Sequence, residues 1–404
     1  MENSKTGGDG PLKGLRVLDV ATLFAGPVIA TLMGDFGADV IKVEHPRGDG
    51  QRYMGWQKNG TCLWWTFLGR NKRSVTLDLH KEEARELLLE LVRDADVMIE
   101  NFRPGTLEGW GIGYNTLSKV NPHLVLVRVT AFGQTGPYSS RPGFGTLAEA
   151  MSGFAHINGY PDGPPTLPPF ALGDAVSGLF GTSAVMFALH HRDSQPDRPG
   201  QFIDLSIYEP LFWILGPQAS IYDQLGVVQQ RTGNRAPFTS PRNSYLSNDG
   251  KWIALSGSAQ SIAERVMRMV GAEHVISEEW FKSHEGRLEH EDLLDEYIGK
   301  WVSSRTADEV IAAAEEAHVA MIPIYSIEDI MKDAQYIARE TVTSVDDPRL
   351  GPVKLQNVIP RLSKTPGSIR HLGPDLGAHN EEVFVGELGH SSEELAALKS
   401  RGAM

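Results

Sequence analysis

Cysteine is almost missing from this 404-residue chain, with Cys62 standing alone. An intrachain disulfide and a thiolate metal cage are therefore excluded. Cys62, in TCLWW, reads as a small buried apolar position rather than a nucleophile. No block of Lys or Arg occurs, and 38 basic against 51 acidic residues leave a net charge of −13. That balance argues against a nucleic-acid partner, which usually meets a basic face. It leaves room for a small anion held by a few local cations. The longest apolar runs, such as GLFGTSAVMFAL, fall short of the ~20 residues a bilayer span needs, so no membrane partner is expected. The leader MENSKTGGDG lacks a basic-then-apolar export pattern, and the default expectation is a cytoplasmic protein. HExxH, CxxC and GxSxG are absent, so a metal cofactor and an α/β-hydrolase have no support. The GxGxxG dinucleotide fingerprint is absent too.

What is present alternates. LRVLDV (15–20) is a short apolar strand, followed by the turn ATLFAGP and a helical run over 28–37. ADVIKVE (38–44) is a second strand, which completes a strand–helix–strand unit. SVTLDL (74–79), DVMIEN (96–101) and HLVLVRVTAF (123–132) are further strands. KEEARELLLELVRDA (81–95) carries leucines at helical spacing. The pattern predicts an α/β fold with a Rossmann-like, doubly wound parallel sheet. Beyond about 225 the texture changes. NSYLSNDGKWIALSG (243–257) reads as a hairpin around Asn248-Asp249-Gly250. Helices are expected at 261–271 and 292–304, and another begins at a capping box, Thr306 with Glu309. At ~100–200 residues per domain, two domains are expected. A large one spans 1–220 and 330–404, and a smaller α+β one spans 221–329. The tail beyond ~330 reads as loop-rich.

Several residues carry chemistry. Arg70, Lys72 and Arg73 in GRNKRSVTLDL are either a solvated loop or a phosphate clamp. ENFRPG places Asn101, Phe102 and Arg103 just after a strand, at the sheet edge where ligands bind. His45 follows another strand, beside Arg47. His190 and His191 end a helix and suit its dipole. FALGDAVSGLFGTSAVMFALHH (170–191) sets one acid, Asp174, before a long apolar helix. Asp is a preferred N-cap, contributing roughly 1 kcal/mol. A carboxylate held ionised at a helix N-terminus is also a nucleophile for a carbonyl. The residues alone leave both readings open.

An ordered set of motifs resembles the family III coenzyme A transferases, the formyl-CoA transferase and carnitine CoA-transferase type, also called CaiB/BaiF. It includes LKGLRVLDVATLFAGPVIATLMGDFGADVIKVEHPRGD, NKRSVTLDL, DVMIENFRPGTLEGWGIGY, NPHLVLVRVTAFGQTGPYSSRPGF and EAMSGF. PDGPPTLPPFALGDAVSGLFGTSAVMFALHHRDSQPDRPGQFIDLSIYE and LGPDLGAHNEEV complete it. The likeness is dense over ~12–215 and looser over ~220–350. It implies an interlocked homodimer, with coenzyme A on the large domain and no metal. It implies Asp174 as the catalytic residue. It also implies coenzyme A contacts from Leu23, Phe24, Ala25, His45, Lys72 with its neighbours Arg70 and Arg73, and Asn101, Phe102 and Arg103. Coenzyme A would move from an acyl-CoA donor to a free carboxylic acid through aspartyl anhydride and aspartyl-CoA thioester intermediates.

The chain departs from some relatives, which carry Arg where His45 and Gly109 stand. GSAQS (257–261) is not the glycine run of formyl-CoA transferases, which argues against formate/oxalate exchange. The segment Tyr245–Ser258 is expected to help form the acid-binding wall. Two other functions compete. An α-methylacyl-CoA racemase would place a histidine in RPGFG, where this chain has Phe144, and a phenyl ring carries no proton. A non-catalytic coenzyme A-binding protein would not need Asp174.

Overall fold

The computed structural model describes residues 7–404, so the first six residues of the polar leader lie outside it. Six strands form one parallel sheet: β1 (Arg16–Asp19), β2 (Asp39–Glu44), β3 (Lys72–Thr76), β4 (Val97–Glu100), β5 (Val125–Thr130) and β6 (Gln201–Ser206). Their order is β3-β2-β1-β4-β5-β6. Val17 of β1 pairs with Val40 on one side and Val97 on the other. The chain starts in the middle, winds outward one way, then crosses back and winds the other. The reversal falls between β1 and β4, and the crevice there is the natural ligand edge of such a sheet.

β1 to β5 are buried along their length because helices cover both faces. On one face lie α1 (Ala25–Asp35) and the long helix α4 (Leu172–Ser194). On the other lie α2 (Glu82–Val92), through Leu87, Leu88 and Leu91, and the chain's last segment, through Phe384, Leu395 and Leu398. α3 (Gly145–Met151) precedes α4. Glycines let α1 and α4 meet closely. A Cβ on Gly178 would stand 2.4 Å from Val28, and one on Gly181 would stand 2.4 Å from Ile29. At 23 residues, with a mean hydropathy of 1.4 over its most apolar 18-residue stretch, α4 is long and apolar enough to cross a bilayer, more than the sequence pattern predicts.

By packing, the chain divides into two units. One holds residues up to 154, 168–216 and 337–404, and the other holds 155–167 and 217–336. Residues 155–167 thus join the second unit, although the sequence pattern puts them in the large domain. The second unit has a three-stranded antiparallel sheet built on the hairpin Arg242–Leu246 and Trp252–Ser256. Its third strand, Met321–Pro323, is too short to read from sequence. The helices Gln260–Met269, Glu291–Ser303 and Ala307–Glu316 pack on it, and both halves of the Thr306/Glu309 capping box form. Tyr245 points into this unit's own core and donates to Asp295 at 2.5 Å, so its side chain is not free for an acid-binding wall. The tail is more regular than a loop, with a hairpin at Val342–Asp347 and Gly351–Gln356 and a closing helix at Ser392–Ser400.

Candidate active site

The turn after β1 is built under tension. Leu23 has φ 63°, left-handed backbone that leucine rarely adopts. Asp49 holds it there: Oδ1 accepts the N–H of Leu23 at 3.1 Å and of Gln51 at 2.9 Å. The other Asp49 oxygen pairs with Lys42 Nζ at 3.0 Å. Burial alone would lower the Lys42 pKa, but Asp19, Asp49 and Glu44 around it raise it above the ordinary lysine value. Asn101, after β4, donates to Thr22 O at 2.7 Å and accepts from Thr22 N at 2.8 Å. The loops on either side of the sheet's reversal are therefore clamped together.

Beside this turn a cleft offers about 550 Å³ of free space, part of it open to solvent. Val20, Val43, Leu77 and Leu79 give it apolar lining, and Phe102, Trp110, His45 and His80 also line it. The rings of Phe102 and His80 each meet Trp110 edge-on, with centroids 5.1 Å apart.

The predicted phosphate clamp is not what the structure draws. Lys72 and Arg73 lie inside β3, which starts two residues earlier than the pattern suggests. Lys72 is fully buried, 2.8 Å from Asp19. Arg73 binds Asp39 at 2.7 Å and Glu387 at 2.5 Å. Arg70 chelates Asp35, at 3.0 and 2.7 Å. Cations buried this deeply must be paired, so all three are committed to carboxylates. Of the other proposed contacts, His45 and Phe102 line the cleft. Leu23 and Phe24 are half-buried in the adjoining turn, Ala25 is buried at the head of α1, Asn101 is the loop clamp and Arg103 is exposed.

Asp174 is the third residue of α4, not its N-cap, because the helix begins at Leu172. The capping is done from outside. Glu149, buried on α3, accepts the N–H of Gly173 at 3.1 Å. Gly145 lies against the Asp174 carboxylate so closely that a Cβ there would stand 2.2 Å from Oδ2. Among the described residues no donor hydrogen-bonds the Asp174 carboxylate and no cation pairs with it. Burial, and then the charge of Glu149, push its pKa up to about 6. This corrects the expectation of an acid strongly held ionised by the helix terminus. Near neutral pH it remains mostly an anion, and a poorly solvated one. Four residues on, Gly178 packs against Ala25 O and Val28 of α1, so α4's first turns run beside the start of α1.

Sequence reading passed over Glu149, Gly145, Asp49 and His80. Glu149 left one trace, as the single acid within the apolar run of EAMSGF.

An α/β fold with a cleft at its topological reversal, and a half-buried acid unpaired among the described residues at the head of α4, is an arrangement common among α/β enzymes. The model of CoA-transferase family III matches residues 12–380. Succinyl-CoA–D-citramalate CoA-transferase of Chloroflexus aurantiacus is 40% identical, over 97% of each chain. The succinyl-CoA–L-malate CoA-transferase beta subunit of the same organism is 41% identical, again over 97% of each. A solved CaiB/BaiF family protein from Brucella suis superposes with a TM-score of 0.82 at 30% identity, covering 94% of this chain and 100% of its own. The chain belongs to CoA-transferase family III and is an enzyme of that family.

Proposed function

We propose that the protein moves coenzyme A between carboxylic acids with Asp174 as the covalent carrier. An Asp174 oxygen adds to the donor thioester carbonyl and expels coenzyme A thiolate, leaving a mixed anhydride. The thiolate attacks the aspartyl carbonyl and releases the donor acid, which leaves an aspartyl-CoA thioester. The acceptor carboxylate displaces the thiolate to form a new anhydride. Thiolate attack on the acceptor carbonyl then frees acceptor acyl-CoA and regenerates the Asp174 carboxylate. Each step exchanges one activated acyl bond for another, and water must be kept out because both intermediates hydrolyse.

The observation that carries this reading is the state of Asp174: half-buried, without a hydrogen-bond donor or cation among the described residues, and with its pKa pushed up to about 6. Such an acid costs stability and serves no capping purpose, so its value lies in its reactivity. The glycine against it, Gly145, leaves space where an acyl group must attach. The cleft suits the nucleotide end of coenzyme A, its apolar lining and aromatic rings matching a purine. The relatives at about 40% identity favour succinyl-CoA as donor and a hydroxylated dicarboxylic acid as acceptor. A second copy of the chain completes the assembly in this reading. Leu179 and Phe187 on α4, and Trp213, are 57%, 74% and 71% exposed, more apolar surface than a lone chain usually shows.

Peptide mapping tests the chemistry. Enzyme mixed with succinyl-CoA and quenched in hydroxylamine should yield a hydroxamate on the peptide carrying Asp174. A label on another residue, or none during active turnover, would overturn it.

A further inference from the structure

Side chains grip the polar backbone groups of the turn from β1 into α1 one after another. Lys42 Nζ donates to Ala21 O, and Asn101 takes both the N–H and the carbonyl of Thr22. Asp49 Oδ1 accepts the N–H of Leu23 at 3.1 Å, and Gln51 Nε2 donates to Leu23 O. Leu23 is thus held by both of its own backbone groups, and from a single loop. Its side chain lies over the same loop, since a Cβ on Gly50 would stand 3.0 Å from Leu23 Cδ2. Gln51 is 1% exposed, and its Oε1 is buried with no partner among the described residues. Burying an amide oxygen unpaired costs stability, and the grip on Leu23 is the one hydrogen bond that the Gln51 side chain makes there.

The grip answers a strain. Leu23 sits at φ 63°, a region that leucine avoids by roughly tenfold and that glycine enters freely. Other residues persist there only where the surroundings over-determine them, and they gather at functional sites. The course of the turn indicates what the strain serves. Thr22, Asp49 and Gly50 line the cleft. Further along, Ala25 O lies 3.3 Å from where a Cβ on Gly178 would stand, and Gly178 is one helical turn beyond Asp174 on α4. The turn therefore runs from the cleft toward the helix that carries the carboxylate. If Leu23 relaxed to ordinary backbone angles, Phe24 and Ala25 would swing, and the start of α1 would shift against α4.

We propose that Gln51 and Asp49 are positioning residues, a latch that keeps Leu23 left-handed and so sets the turn for acyl transfer to Asp174. The proposal rests on the reading of Asp174 as the covalent carrier. The latch acts through the backbone of Leu23, not by contact with the acyl group.

The rate of Asp174 acylation at saturating succinyl-CoA, trapped with hydroxylamine and read by rapid quench, tests this in two backgrounds. Gln51→Met keeps the side chain's volume and drops the donor. With Leu23 in place it should slow acylation roughly tenfold, because the relaxed turn becomes the more populated one. In a Leu23→Gly background it should slow acylation by no more than about twofold, since glycine takes up the left-handed region about as readily without help. Coenzyme A affinity, measured by calorimetry, should change by less than about threefold in Gln51→Met, because the loss falls on the reacting geometry rather than on binding. Equal costs in the two backgrounds would overturn the latch, as a Gln51 that only stabilises the fold or touches the ligand acts alike in both. A loss of affinity that accounts for the whole loss of rate would overturn it too. A second pair leaves the buried amide untouched. Asparagine enters the left-handed region several-fold more readily than a β-branched residue, so Leu23→Asn should acylate several-fold faster than Leu23→Val. Equal rates in that pair would also sink the latch. A wild type that never acylates Asp174 would overturn the carrier and the positioning role together, whereas normal acylation with equal costs overturns the latch alone.

Discussion

Under β1, β2 and β3 every buried cation is answered. Lys72 and Lys42 share Asp19, Arg73 and Arg16 share Asp39, and Arg52 meets Glu44 at 2.7 Å. At the head of α4 the opposite holds, since half-buried Asp174 and buried Glu149 are neighbouring acids with no paired cation among the described residues. The sheet network stabilises the fold and props up the Leu23 turn. The acidic pair raises the energy of one carboxylate. Compensated charge builds the scaffold, and uncompensated charge is where chemistry is expected.

The contrast can be broken experimentally. Asp174→Ala should lower turnover by roughly a thousandfold or more, as loss of a covalent nucleophile does, while coenzyme A binding measured by calorimetry persists. Lys72→Met strands Asp19 beside a single remaining lysine and should cost about 3–5 kcal/mol in denaturant unfolding. A Lys72 that instead clamps phosphate would lose coenzyme affinity and leave stability intact. Asp174→Asn should stabilise the protein. Burial and the charge of Glu149 push the folded carboxyl's pKa up to about 6, above the ordinary aspartate value, so the ionised form penalises folding. That penalty is absent below about pH 4, grows as pH rises and is complete above about pH 6. The gain should therefore be about 2 kcal/mol at pH 7.5 and vanish near pH 4, read from unfolding curves at both. Glu149→Gln removes the charge but keeps an acceptor for Gly173. The acid limb of kcat/KM, expected near pH 6 in the wild type, should move down by up to about one pH unit, and an unmoved limb would show burial acting alone.

Much of the frame was legible in the residues. Apolar runs separated by helical spacing foretold the parallel sheet, because strands covered on both faces must be apolar. The Asn-Asp-Gly hairpin and the Thr306 capping box are local chemistry and formed as read. The basic cluster at 70–73 misled for a physical reason. Charge in sequence resembles charge at a surface until the partner is seen, and Asp19, Asp35 and Asp39 come from other strands and helices. The outer limits of α4 were misjudged because its cap, Glu149, is supplied by another helix.

The order of strands and helices, the lone acid before an apolar helix and the glycines that seat α4 on α1 are properties of the chain itself. Local propensity and the hydrophobic pattern act over a few residues, and they suffice for these. Which charges are neutralised and which carboxylate is left without a cation depend on groups far apart in sequence. Electrostatic energy is set by distance in space and by burial, so only the tertiary structure could decide them.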